Sequence, residues 1–296
     1  MGVADVVPGV SGGTAAFIMD IYNELLRSLI SIDREALSLL VKLRFSDFWK
    51  KINGSFLCAL LAGVITNILF FARLVTHLLG HYSILIWSFF FGLILISAPL
   101  VLREIKKWNI ALVAIFVVGV GITYSLTLVP PTHMPEGFLF TVMAGCLSVC
   151  GILLPGVSGT FILLQIGKYQ DVISNIMSLN VGFIVFFITG CIIGLAIFSR
   201  LLGWIIRNYR NASVALLSGL MLGSLNKVWP WREVLEYVTN SKGEQVPAFD
   251  KSILPWHYFA TTGKDPQVFQ AILMMALSVF LVVLVEKIAV RLKTKI

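Results

Sequence analysis

Two short stretches of otherwise apolar sequence carry the groups best placed to do chemistry. "VVPGVSGGTAAF" occupies residues 6–17, and "LLPGVSGTFILL" occupies residues 153–164. Pro8 and Pro155 stop an incoming helix. Gly9, Gly12 and Gly13, with Gly156 and Gly159, allow unusual torsions and close approach of backbone to another group. Ser11 and Ser158 are good N-caps for an outgoing helix, with Thr14 and Thr160 in the turn that follows. A helix start offers unpaired N–H groups and the positive end of its dipole, which together suit an anion, phosphate above all. In apolar surroundings this holds an anion with backbone alone, where a permanent side-chain charge would be costly. Close helix packing explains small residues, but it does not explain Pro-Gly-Val-Ser-Gly occurring twice.

Charged residues are few near these loops. Asp5 stands three residues before Pro8, while its counterpart is Ile152, so the loops are chemically unequal. An acid deep in a membrane is a candidate for coupling. Glu24 lies 13 residues beyond Ser11, about 19 Å along a helix, which puts it at the headgroups as a surface acid paired with Arg27; Asp171 is its equivalent in the second copy. Arg73 and Arg200 each follow an asparagine, Asn53 and Asn180, by 20 residues. That is about 30 Å of helix, so the two would reach opposite faces. They either snorkel there or receive a phosphate, which arginine grips with two donors. His77, His81, His133 and His257 fall in turns or span ends. Trp229, Trp231, Trp256 and Tyr258 read as aromatic interface anchors. Cys58, Cys146, Cys150 and Cys191 sit in apolar runs with no acid or histidine at ligand spacing, so neither a metal site nor a cofactor is expected.

The elements that must position these groups span a membrane. The chain is 58% hydrophobic and 13% charged, with a mean hydropathy of +0.91. Apolar runs lie near 54–79, 83–102, 109–128, 181–206, 212–226 and 268–286. The net charge of +8 belongs to loops rather than to a nucleic-acid face.

Internal repetition orders these runs. An offset of 147 superposes the two motifs, and then Tyr22 on Tyr169. An offset of 127 superposes 56–97 on 183–224, matching Gly63 with Gly190, Arg73 with Arg200, Tyr82 with Tyr209, Gly92 with Gly219 and Ser97 with Ser224. The difference is an insertion at 31–51. The repeats are expected at 1–128 and 137–288 within one integrated transport domain. A helix equivalent to 138–154 is expected before Pro8, from a start upstream of Met1.

Lysine and arginine in 31–51, 103–107, the turn after 199 and the C-terminus place those segments in the cytoplasm. The turns at 80–82 and 129–137 carry neither residue, and they fall outside with the long loop 227–267. Each motif segment begins and ends on one side and is followed by three further crossings. The second half is therefore inverted. The expected fold is all-α and polytopic: two inverted repeats, each with a broken helix pair, re-entrant or crossing twice, at its Pro-Gly-Val-Ser-Gly loop, and three spans. Its site would lie at the midplane between the repeats.

"ADVVPGVSGGTAAFIMDIYNELL" resembles the signature of the bacterial polyprenyl-phosphate transporter family, and the resemblance runs on through the second "LLPGVSGT". It departs from the usual pattern at Asp20, where glycine is expected, and in having few residues before the first motif. The resemblance implies return of undecaprenyl phosphate from the outer to the inner leaflet of the cytoplasmic membrane, recycling the carrier lipid of envelope synthesis. Net return against a gradient needs a coupling ion, for which a proton is the expectation. Two other classes compete. Undecaprenyl-diphosphate phosphatases also carry Pro-Gly-x-Ser, but continue with arginine and use a pair of glutamates. Here glycine follows each serine, and no Glu-x-x-x-Glu lies in a membrane segment. A small-anion transporter or channel would share the loops without a lateral opening for lipid.

Overall fold

The computed structural model describes residues 12, 13, 16, 21–66, 72–132, 134–239 and 245–293. It is mostly helical, 77%. After helical residues 12, 13 and 16 come α1 (Tyr22–Ile30), α2 (Arg34–Val41), α3 (Phe45–Lys51), α4 (Gly54–Thr66), α5 (Ala72–His81), α6 (Ser83–Leu102) and α7 (Ile110–Leu128). Then follow α8 (Phe138–Leu153), α9 (Gly159–Gln165), α10 (Tyr169–Met177), α11 (Val181–Asn208), α12 (Arg210–Gly223) and a single 3-10 turn (Ser224–Asn226). Strands β1 (Arg232–Thr239) and β2 (Gln245–Ser252) precede α13 (Pro255–Thr262) and α14 (Val268–Lys293).

Among the described residues α6, α7 and α11 are each long and apolar enough to cross a membrane, and α3 with α4, bent by 73°, could make a fourth span. Of these, α6 and α7 are apolar around their whole circumference, the mark of a helix in lipid or a deep core. Large apolar side chains such as Ile192 (63% exposed) and Ile197 (62% exposed) remain uncovered on α11, as a bilayer would require. Polar caps set where helices begin. Asn109 Oδ1 accepts from Leu112 N at 2.8 Å to start α7, and Asn180 Oδ1 accepts from Phe183 N at 3.3 Å to start α11.

Glycine decides which helices touch. The main pairs are α7 with α12, α8 with α11, and α6 with α14. A Cβ on Gly219 would overlap Phe116 O, one on Gly190 would overlap Val142 O, and one on Gly92 would overlap Ser278 Oγ. Backbones thus approach closely enough for dispersion to hold them where lipid removes any hydrophobic drive. Exchanging α6 with α12, and α7 with α14 as the last crossing of each half, carries the α6–α14 contact onto the α12–α7 contact. The matched turns agree as well: Tyr82 (φ −128, ψ 39) and Tyr209 (φ −133, ψ 52) cap α6 and α12, and their N–H groups donate to Leu78 O and Ile205 O at 2.7 and 2.8 Å. Among the described residues one match is broken: Gly190 is covered by α8, whereas a Cβ on Gly63 would meet none of them within 4 Å.

Three expectations need correction. The chain is not all-α, because 232–252 forms an antiparallel hairpin in which Arg232 pairs with Ser252 and Val238 with Val246. Val234, Tyr237 and Val238 supply the β-branched and aromatic residues that strands favour. The insertion 31–51 is not a plain loop. It folds as α2 and α3, where Asp33 caps α2 and Lys51 Nζ reaches Asp33 Oδ1 at 2.9 Å. Trp229 and Trp231 are not free interface anchors. Trp231 is 3% exposed in a core with Ile84 and Ala271, and the two indoles donate to Ile253 O and Pro266 O at 2.7 and 2.8 Å. Trp256 does stay exposed.

Candidate functional site

The second motif is a packed crossing between helices. Leu154 ends α8, Gly156 takes φ +88, and Ser158 starts α9, its Oγ accepting from Phe161 N at 3.0 Å. That left-handed torsion is cheap only for glycine. A Cβ on Gly156 would also stand 2.7 Å from Leu220 O and 2.8 Å from Met221 Cα on α12. A Cβ on Gly159 would lie 2.6 Å from Ser148 O on α8. The loop is therefore wedged between α8 and α12, with Ser158 4% exposed and Thr160 half-buried.

The first motif meets the same place. Asp5, Gly9, Ser11 and Thr14, with Asp20, lie outside the described residues. Gly12 and Gly13 are helical and buried, and a Cβ on Gly13 would stand 2.8 Å from Ile152 O and 3.2 Å from Leu153 O. Tyr22 Oη donates to Leu153 O at 2.7 Å, and Tyr22, Ala16, Leu153, Leu217 and Leu220 share one core. Residues of both motifs thus converge on the junction of α8 with α12. Ser28, Ser199 and Ser218, on the helices around this core, are buried hydroxyls with no partner among the described residues.

The charged candidates are dispersed. Glu24 Oε1 accepts from Asn53 Nδ2 at 2.9 Å, so its partner is Asn53 and not the expected Arg27. Asn53 reaches it because the chain there turns through φ +52 before α4. Asp171 Oδ2 pairs with Lys168 Nζ at 2.7 Å. Arg200 is exposed, and its guanidinium donates to Ala196 O at 2.7 Å and to Ile32 O at 3.1 Å, tying α11 to the turn after α1. Arg73 lies in α5, with its side chain outside what is described.

Two lysines, Lys168 buried and Lys227 partly buried, were missed by sequence reasoning. Lys168, 4% exposed, lines a crevice of about 350 Å³ with Glu136, Thr141, Asp171, Phe183 and Phe186. Lys227 follows the 3-10 turn after α12, and its Nζ lies 5.6 Å from the Phe161 ring centroid, three residues beyond Ser158. It donates to Asp250 Oδ1 at 2.9 Å. Asp250 is shared with Arg232, whose Nε and Nη2 reach Oδ2 and Oδ1 at 2.5 and 2.7 Å, while Nη1 donates to Asn226 O and Lys227 O. Burial holds the Lys227 ammonium below its ordinary pKa; Arg232 adds to this and Asp250 opposes it. Burial alone would raise the Asp250 carboxyl, but the two cations keep it below the usual carboxylate value. An ionisable residue directly after an apolar run was the available signal for Lys227. The register of the hairpin, which brings Asp250 to it, was not visible.

Known proteins give this geometry a context. Residues 1–246 match the family described as undecaprenyl phosphate translocase-like. A polyprenyl-phosphate transporter of Vibrio cholerae serotype O1 is 40% identical over 289 residues, which cover 98% of this chain and 94% of that protein. A polyprenyl-phosphate transporter of Staphylococcus aureus is 28% identical over 256 residues, covering 78% of this chain and 83% of that protein. No solved structure matches the chain. Apolar spans, paired Pro-Gly-Val-Ser-Gly motifs meeting at one junction, and a family match over most of the length lead to one conclusion: the chain belongs to the undecaprenyl phosphate translocase-like family.

Proposed function

We propose that the protein transports polyprenyl phosphate across the bacterial cytoplasmic membrane, returning it from the outer to the inner leaflet with a coupled proton. The observation that carries the reading is the near-full-length likeness to the Vibrio cholerae polyprenyl-phosphate transporter. The physics agrees. A lipid phosphate crosses hydrocarbon slowly because its charge must be desolvated. Polar backbone between helices lowers that barrier while the tail stays in lipid.

In this reading, 1–128 and 137–288 are inverted repeats of one transport domain. The matched Tyr82 and Tyr209 turns and the exchanged helix contacts support it. The phosphate passes Gly9, Ser11, Gly12, Gly13 and Thr14 of one motif and Gly156, Ser158, Gly159 and Thr160 of the other. Arg73 receives it at the outer face and Arg200 at the inner face. Asp5 carries the coupling proton, while Glu24 and Asp171 play lesser parts at the surface. The protein acts without catalysis. Ser158 serves as a helix cap, with glycine on its far side rather than the arginine a phosphatase needs.

Reconstituted vesicles test the reading. Time-dependent loss of polyprenyl phosphate from the outer leaflet, faster with an inward proton gradient, is the expected result. Release of inorganic phosphate would instead mark an enzyme, and flux of a free anion without lipid movement would mark a channel.

A further inference from the structure

We propose that Lys227 is the cationic anchor for the phosphate of the transported lipid, held ready by Asp250 at one end of α12, a role that rests on the transport reading above. Two cations share one carboxylate here, which leaves one positive charge in excess. Arg232 has the better claim on it. Its guanidinium grips both Asp250 oxygens and also binds the carbonyls of Asn226 and Lys227, so it fastens the hairpin to the 3-10 turn. Lys227 has three ammonium donors. Among the described residues one carboxylate oxygen accepts from it, and the face of Phe161 lies 5.6 Å away. A ring face favours a cation but does not neutralise it. Its side chain is only 18% exposed, so water screens little of that charge. A phosphomonoester oxygen is the acceptor such a lysine lacks.

The surroundings choose between a free phosphate and a lipid phosphate. The same turn carries Asn226 into a groove of about 390 Å³ whose other walls include Phe91, Val120, Leu222, Leu225 and Leu254. Its polar residues are Tyr124, Asn226 and Ser252, with the indole of Trp229; Ser252 Oγ donates to Asn226 O at 3.0 Å. Lys227 does not line the groove itself, but it is the next residue after Asn226, which does, so one turn serves both an anionic head and an isoprenoid tail. Phe161 links the head position to the second motif, since it is the residue whose N–H Ser158 accepts.

Binding of a short-chain polyprenyl phosphate to the purified full chain in detergent tests this, with the matching polyprenol and inorganic phosphate as comparisons. Lys227→Met should weaken the lipid phosphate about 10- to 100-fold, and Lys227→Arg should stay within about threefold. Asp250→Asn keeps an oxygen that can hold the ammonium in place but removes the competing negative charge, and should tighten binding. A set of ion pairs that only braces the hairpin predicts lower melting temperatures and unaltered affinity. Wild-type affinity in Lys227→Met overturns the assignment. Should that variant not fold, unchanged or weaker binding by Asp250→Asn overturns it. Inorganic phosphate competing at the same concentration as the lipid overturns the lipid's part in it. If the wild type binds polyprenol as well as its phosphate, the transport reading itself fails; if it prefers the phosphate but ignores Lys227, that reading stands and the anchor falls.

Discussion

At the scale of the residue, the chemistry of an ammonium separates Lys227 from any arginine. Its charge depends on pH near the working range of an alkaline titration, because burial and Arg232 lower its pKa below the ordinary 10.5 against the pull of Asp250. Anion binding needs the protonated form, which is complete below the folded pKa and lost as pH rises through it. A lipid phosphate is already fully charged above about pH 7, since its second pKa is about 6. Affinity should therefore be flat from neutrality and then fall at a pH below 10.5. In Lys227→Arg the fall should vanish, because a guanidinium stays charged. A wild-type profile that stays flat to pH 10.5 would sink this. What could be read at this scale was local. Ser158 as a cap followed from its place before α9. The partners of Glu24 and Lys227 did not, because Asn53 and Asp250 come from 29 and 23 positions away and arrive through turns that leave no pattern in the sequence.

At the scale of the element, contact between helices depends on single hydrogens. Matched glycines on α4 and α11 make a clean comparison. Gly190 lies against the Val142 carbonyl of α8, whereas no described residue comes within 4 Å of a Cβ built on Gly63. Gly190→Ala should cost about 1–3 kcal/mol through forced separation of α8 from α11. It should lower the apparent melting temperature in detergent by several degrees. Gly63→Ala should be neutral or slightly stabilising, since alanine suits a helix better than glycine. Equal losses from both substitutions would mean that Gly63 also has a partner. Three of the six expected spans, α6, α7 and α11, were legible because apolar runs of such length have few alternatives. The hairpin was not, because its residues alternate weakly and pair across a connection rather than along a periodic face. Nor was the core role of Trp231, which is set by a carbonyl at Pro266, 35 residues away.

At the scale of the whole molecule, orientation follows from charge. Basic residues on α2 and α3 lead us to expect that insertion in the cytoplasm and the hairpin outside. Ser46→Cys and Lys251→Cys put thiols at exposed positions of the two segments. In intact cells a membrane-impermeant maleimide should label position 251 and leave position 46 untouched until the cells are opened. Labelling of both from one side would defeat the inverted arrangement.

The two ends of that arrangement are not alike. The offset that superposes the halves puts Leu100 where the second half has Lys227, and a leucine cannot hold an anion. Detailed balance then constrains the resting protein. Around a closed cycle with no energy input, a lipid held about tenfold more tightly at one face must be matched by the conformational step. The empty protein must favour opening toward the other face about tenfold more than the loaded one does. A partly buried lysine present in one half only is thus a thermodynamic bias. If Lys227 anchors the phosphate, arriving lipid shifts the carrier toward the side where Lys227 stands, relative to the empty protein.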